Sequence, residues 1–112
     1  EYCDFLNFGT NDLVQYVMAA GREKIDVADY YEAGNRLILP ALKIVLQKAK
    51  VHGKECCLCG ELGGNLEYTE ELLDIGIRNF SVQPSLIPSV KNKIYSLLHD
   101  KPNKFKEGQV SA

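Results

Sequence analysis

The chain has 112 residues, the size of one ordinary domain. Hydrophobic residues make up 46% and charged residues 25%, which excludes a disordered or collagen-like chain. Thirteen Lys and Arg against fifteen Asp and Glu leave a net charge of −2, which argues against a nucleic-acid binder driven by electrostatics. No apolar run approaches the roughly 18 residues of a bilayer span, and the N-terminus lacks the charged and apolar regions of a signal peptide. A soluble, cytoplasmic protein with no membrane and no nucleic-acid partner is expected.

In chain order, Phe5 to Phe8 is a short apolar strand closed by Gly9. Thr10, Asn11 and Asp12 follow as helix-capping residue types, and Leu13, Tyr16, Val17 and Ala20 recur at helical spacing with Gly21 as the stop. Arg22 to Gly34 reads as an irregular polar stretch. A helix then follows with Leu37, Ile38, Ala41, Leu42, Val45 and Ala49 on one face. Pro40 belongs in its first turn, or else kinks it. Gly53 ends it.

Glu55 to Cys59 is the second strand, with Gly60 after it and a loop at Gly63, Gly64 and Asn65. A short helix spans Thr69 to Asp74, and Asn79 to Val82 forms the third strand. Pro84 and Pro88 flank a loop into a last helix, where Val90, Ile94, Leu97 and Leu98 share a face. A polar tail that frays is expected over 99–112.

Strands alternating with helices predict an α/β fold with parallel strands. Each strand ends in Gly or Pro with polar residues just beyond, the pattern of ligand-bearing loops at the carboxyl ends of strands. Three strands make a thin sheet with two unpaired edges, so the chain reads as part of something larger.

The first strand end, Gly9-Thr10-Asn11-Asp12, offers backbone N–H groups for phosphate oxygens and a carboxylate for Mg²⁺; equally, Asn11 or Asp12 could cap the helix. Arg22 suits phosphate recognition, or sits as a favourable cation at a helix C-terminus. At the second strand end, Leu58-Cys59-Gly60-Glu61, a thiol at the mouth of the sheet can act as acid or nucleophile. Cys56 points opposite to Cys57 and Cys59 on a strand, so no easy local disulfide forms among them, and one of the first two serves as a small hydrophobe. His52 and His99 show no zinc-finger spacing with the cysteines. A thiol-based metal or redox module remains an alternative from another class.

Phe8-Gly9-Thr10-Asn11-Asp12-Leu13 with Gln15, then Cys59-Gly60-Glu61, then Phe80-Ser81-Val82, resembles the final part of the phosphoenolpyruvate-utilising TIM barrel. That family includes enzyme I of the bacterial sugar phosphotransferase system, pyruvate phosphate dikinase and phosphoenolpyruvate synthase. The run from Thr10 to Tyr16, with Ala19-Ala20 before Arg22, looks most like enzyme I. The resemblance covers residues 1–98 and implies strands six to eight of an eight-stranded barrel, with five strands upstream.

It also implies roles. Asp12 would be a Mg²⁺ ligand, Asn11 would bond the phosphate of phosphoenolpyruvate, and Arg22 would neutralise it. Cys59 would be the general acid that protonates enolpyruvate to pyruvate. The phosphoryl group would pass to a histidine on another domain and then to a phosphocarrier protein, with a homodimer as the assembled state. The isolated chain would be inactive. The sequence departs from the family at Gly21, where Asp is usual. It departs again at Asn35-Arg36-Leu37, where a His-Pro-Ala element is usual, and at Leu62-Gly63-Gly64-Asn65, where enzyme I has Met-Ala-Gly-Asp. The alternatives are a dikinase or synthase fragment, and a non-catalytic paralogue kept for dimerisation or regulation.

Overall fold

A computed structural model of the chain describes residues 2–19 and 28–104. Strand β1 (Phe5–Gly9) leads into helix α1 (Thr10–Met18), helix α2 (Ala28–Val51) and strand β2 (Glu55–Cys59). A 3₁₀ turn (Glu61–Gly64), helix α3 (Thr69–Ile75), strand β3 (Asn79–Ser81), a second 3₁₀ turn (Pro84–Leu86) and helix α4 (Ile87–Asp100) complete the order. The three strands form one sheet in the order β1-β2-β3, parallel throughout. The expected α/β class is therefore observed.

Register decides which strand residues share a face. Phe8 pairs with Leu58 and Leu58 with Phe80, and all three are buried beside Cys56. With Ile38, Leu42, Leu72, Leu73, Val90, Ile94 and Leu97 they make one continuous core. The opposite face carries Phe5, Asn7, Cys57, Cys59, Asn79 and Ser81, none of which is fully buried. Among the described residues, the helices thus pack against one face of the sheet.

Several helix expectations shift. In α1 the buried residues are Thr10 and Val14, with Leu13 and Met18 partly buried against the core. Tyr16 and Val17, expected to face inward, are 85% and 52% exposed. The cause lies across the helix pair. A Cβ on Gly34 would come within 2.6 Å of Val14 and 3.0 Å of Met18, so α2 lies directly on the Val14–Met18 stripe of α1 and fixes its rotation. That helix ends at Ala19, whose φ of 51° turns the chain; the expected stop, Gly21, lies outside the described residues, as does Arg22.

The stretch expected to be irregular up to Gly34 is helical from Ala28. Pro40 therefore falls in the interior of α2 rather than in its first turn, where its missing N–H costs one helical bond. The core face of α2 is Ile38, Leu39, Leu42 and Ala49, while Leu37, Ala41 and Val45 are exposed. A stripe of apolar residues gives a helix its period, and the neighbouring elements choose its rotation.

Gly76, at φ 110°, stops α3. Pro88 sits in the first turn of α4 instead of in the preceding loop, a position that tolerates its missing donor. Helix α4 runs through His99 to Asp100, and Lys101 and Lys104 then pair with Glu70 and Asp74 on α3.

Candidate active site

Strand β1 ends at Gly9 and α1 begins at the next residue, so Thr10, Asn11 and Asp12 are delivered to the carboxyl end of the sheet. Strand β2 ends at Cys59 directly opposite Gly9. The two turns are joined by three hydrogen bonds. The Thr10 hydroxyl, fully buried, donates to the Cys59 carbonyl at 3.0 Å. The Cys59 thiol donates back to the Phe8 carbonyl at 3.2 Å. The Glu61 amide donates to Asn11 Oδ1 at 3.2 Å.

Gly60 makes this approach possible. Its φ of 106° and ψ of −178° belong to backbone that only glycine adopts readily. A Cβ there would collide with Thr10 Oγ1 and lie 3.3 Å from Asn11 Oδ1. The glycine between Cys59 and Glu61 is thus a requirement of packing and of backbone shape together.

Of the residues singled out from sequence, Asn11 and Cys59 meet at one rim. Asp12 is exposed on the same turn, its carboxylate beside Gly9. Arg22 lies outside the described residues. The capping alternative fails for α1: Gly9 occupies the cap position, and no side chain caps the helix. Asn11 instead spends its oxygen on the second strand's turn. The thiols differ by face. Burial pushes Cys56 up from the ordinary thiol range, with Cys3 adding to it, and burial then Cys59 push Cys57 up. All four cysteines are free.

One contributor escaped the sequence, the Thr10 hydroxyl, masked by its capping composition. Away from the rim, Tyr68 is 1% exposed and its hydroxyl donates to Glu32 Oε1 at 2.6 Å. Burial, followed by the Glu32 carboxylate, pushes the Tyr68 phenol up to about 12. Its hint in the sequence was a lone aromatic just before the Thr-Glu-Glu start of α3.

A magnesium ion takes one or two carboxylates, with phosphate oxygens and waters completing its shell. Asp12 can supply one such ligand. No group of three or more His, Cys, Asp or Glu side chains capable of holding a metal occurs among the described residues.

Comparison with known families then gives a direct result. The family described as PEP-utilising enzyme, PEP-binding domain, matches residues 1–98. The chain belongs to the PEP-utilising enzymes. It is 36% identical over 108 residues to a phosphoenolpyruvate-protein phosphotransferase of Bacillus subtilis, covering 96% of this chain and 19% of that protein. A Salmonella typhimurium protein named phosphoenolpyruvate-dependent phosphotransferase system is 36% identical over 96 residues, 86% of this chain and 12% of its own length. A probable phosphoenolpyruvate synthase of Pyrococcus horikoshii is 32% identical over 94 residues, covering 84% and 11% respectively. The chain therefore spans less than a fifth of the length of these curated relatives. No helix among the described residues is long and apolar enough to cross a membrane.

Proposed function

We propose that the chain forms the closing strands of a phosphoenolpyruvate-binding TIM barrel and carries the proton-donating half of its active site, in an enzyme I-like phosphotransferase. One observation carries this reading: the Asn11-Asp12 turn and the Cys59-Gly60-Glu61 turn are bonded to each other at the carboxyl end of the sheet, where barrels of this kind act.

Within this reading Asn11 orients the phosphate and Arg22 neutralises it. Asp12 holds Mg²⁺, which when bound supplies positive charge to the phosphate oxygens. Transfer of the phosphoryl group to a histidine on another domain leaves the enolate of pyruvate. The enolate takes the Cys59 thiol proton at its methylene carbon, forming a C–H bond and a thiolate that regains its proton from water. Support for this comes from the position of the thiol at the rim, where it donates to the Phe8 carbonyl beside the Glu61 amide that is bonded to Asn11. A phosphocarrier protein and a second copy of the enzyme are the partners of the same reading. Similarity to the Pyrococcus synthase favours a synthase or dikinase fragment as the second reading, with the same site and a different phosphoryl acceptor.

The test joins the chain to the upstream half of its barrel and adds the histidine domain. Cys59→Ala is expected to lower pyruvate release by about 10²-fold or more, the usual contribution of a general acid, while phosphoenolpyruvate affinity in Mg²⁺ stays within a few-fold. A wild-type protein that binds no phosphoenolpyruvate overturns the reading in favour of a non-catalytic paralogue. Unchanged turnover in Cys59→Ala overturns the role of the thiol.

A further inference from the structure

Tyr68 fills a place in the core that a phenylalanine ring would fill as well. Only its hydroxyl reaches further, to Glu32 on the N-terminal part of α2: to the carboxylate Oε1 at 2.6 Å and, more weakly, to the backbone carbonyl at 3.4 Å. The rest of the neighbourhood supports that bond. The Arg36 guanidinium lies 5.4 Å from the centre of the Tyr68 ring, and 3.6 Å from the Glu71 carboxylate.

The segment between Cys59 and Tyr68 is a run of consecutive turns. The Asn65 amide bonds the Leu62 carbonyl at 3.1 Å, and the Tyr68 amide bonds the Asn65 carbonyl at 3.0 Å. Leu62 is buried beneath them. At its near end the segment is held by β2 and by the Glu61 amide on Asn11. At its far end the Tyr68 hydroxyl ties it to α2. A chain of turns fixed at both ends has little freedom to slide, whereas one released at a single end can move as a unit.

We propose that Tyr68, acting through Glu32, is a positioning residue that sets where the Cys59-Gly60-Glu61 turn stands against Asn11. The inference rests on the function proposed above for that turn, and it adds a residue outside the reacting groups. A bond from a phenol to a carboxylate is charge-assisted and stronger than a neutral one, which suits a single anchor.

The chain, joined to the upstream half of its barrel, is compared with its Tyr68→Phe, Glu32→Ala and Glu32→Gln variants by amide hydrogen exchange and by calorimetric titration of phosphoenolpyruvate with Mg²⁺. Tyr68→Phe and Glu32→Ala are expected to speed exchange at the Glu61 amide by about tenfold, the loss typical of one such bond. The Leu58 amide in the sheet keeps its wild-type rate. Glu32→Gln, which retains an acceptor, restores Glu61 protection to within about threefold. Phosphoenolpyruvate affinity follows the same order. If Glu61 exchange is unmoved in Tyr68→Phe, or if Leu58 loses protection equally, the positioning role is overturned. If the wild type binds no phosphoenolpyruvate, the proposed function fails instead, and the exchange data still decide the role of Tyr68.

Discussion

At the carboxyl end of the sheet, Thr10, Asn11, Cys59 and Glu61 meet through neutral hydrogen bonds between neighbouring turns. At the opposite end Asn79 donates to the Cys56 carbonyl at 3.2 Å, and further ties are made by charged side chains. Arg78 donates to the Leu73 and Ile77 carbonyls at 2.8 and 2.9 Å, satisfying carbonyls at and just beyond the end of α3. Lys101 and Lys104 reach from the end of α4 to Glu70 and Asp74. The amino end is thus sewn largely by long, adaptable cations, with one short amide, Asn79, among them. The carboxyl end depends on short side chains whose bonds tolerate little displacement, as a site for small-molecule chemistry requires. The first end supports the fold; the second positions groups.

The sharpest way to break that contrast is at Gly60. Gly60→Ala must adopt backbone that L-residues avoid, and its methyl group meets Thr10 Oγ1. A loss of about 3 kcal/mol in urea denaturation is expected, from backbone strain and steric crowding together. A loss well below about 1 kcal/mol would mean that the rim has slack, and the distinction between the ends would fall.

A matched pair sharpens it. Thr10→Val removes the buried hydroxyl bond to Cys59 with little change in shape, and Arg78→Met removes the two carbonyl bonds at the end of α3. Each is expected to cost about 1–2 kcal/mol of stability. Phosphoenolpyruvate affinity should fall in Thr10→Val and stay at the wild-type value in Arg78→Met. Equal loss of affinity in both would show that the amino end also controls the site.

The strands were legible because each is a short apolar run punctuated by glycine or followed by proline, and Glu55–Cys59 was read to the residue. The rotations of α1 and α2 were not. Val17 and Val45 carry the same local signal as Val14 and Leu42; in α1 the close approach of Gly34 to Val14 separates the pair, and in α2 the buried core does. The onset of α2 at Ala28 was hidden for a similar reason: Asp29, Tyr30, Tyr31 and Glu32 lack apolar periodicity, so nothing local announces a helix there. At the site, the meeting of Asn11 with the Cys59 turn was readable through family resemblance. The Thr10 and Tyr68 hydroxyl bonds join residues far apart in sequence, and no spacing rule within one segment encodes them.

The mildest test concerns the charges at the amino end. Lys101 and then Lys104 hold the Glu70 carboxyl below its ordinary value of 4.5, and Asp74 and then Glu70 hold the Lys104 ammonium above 10.5. A carboxyl with a lowered pKa stabilises the fold above its unfolded value, and that support is lost as pH falls through the folded value. A raised ammonium gives support that is complete below its unfolded value and lost as pH rises through the folded one. The network is therefore intact between these limits and fails on both sides. Glu70→Gln should flatten the acid limb of the Tm–pH curve, and molar salt, which shortens screening to about 3 Å, should do much the same in the wild type. These pairs are solvent-exposed, so the effect is the smallest of the three. Its diagnostic value is spatial: across that acid range Glu61 amide protection, corrected for the intrinsic pH dependence of exchange, should hold steady. Loss of protection in step with the Tm would mean that the ion pairs help to set the rim, and the division of labour between the two ends would have to be abandoned.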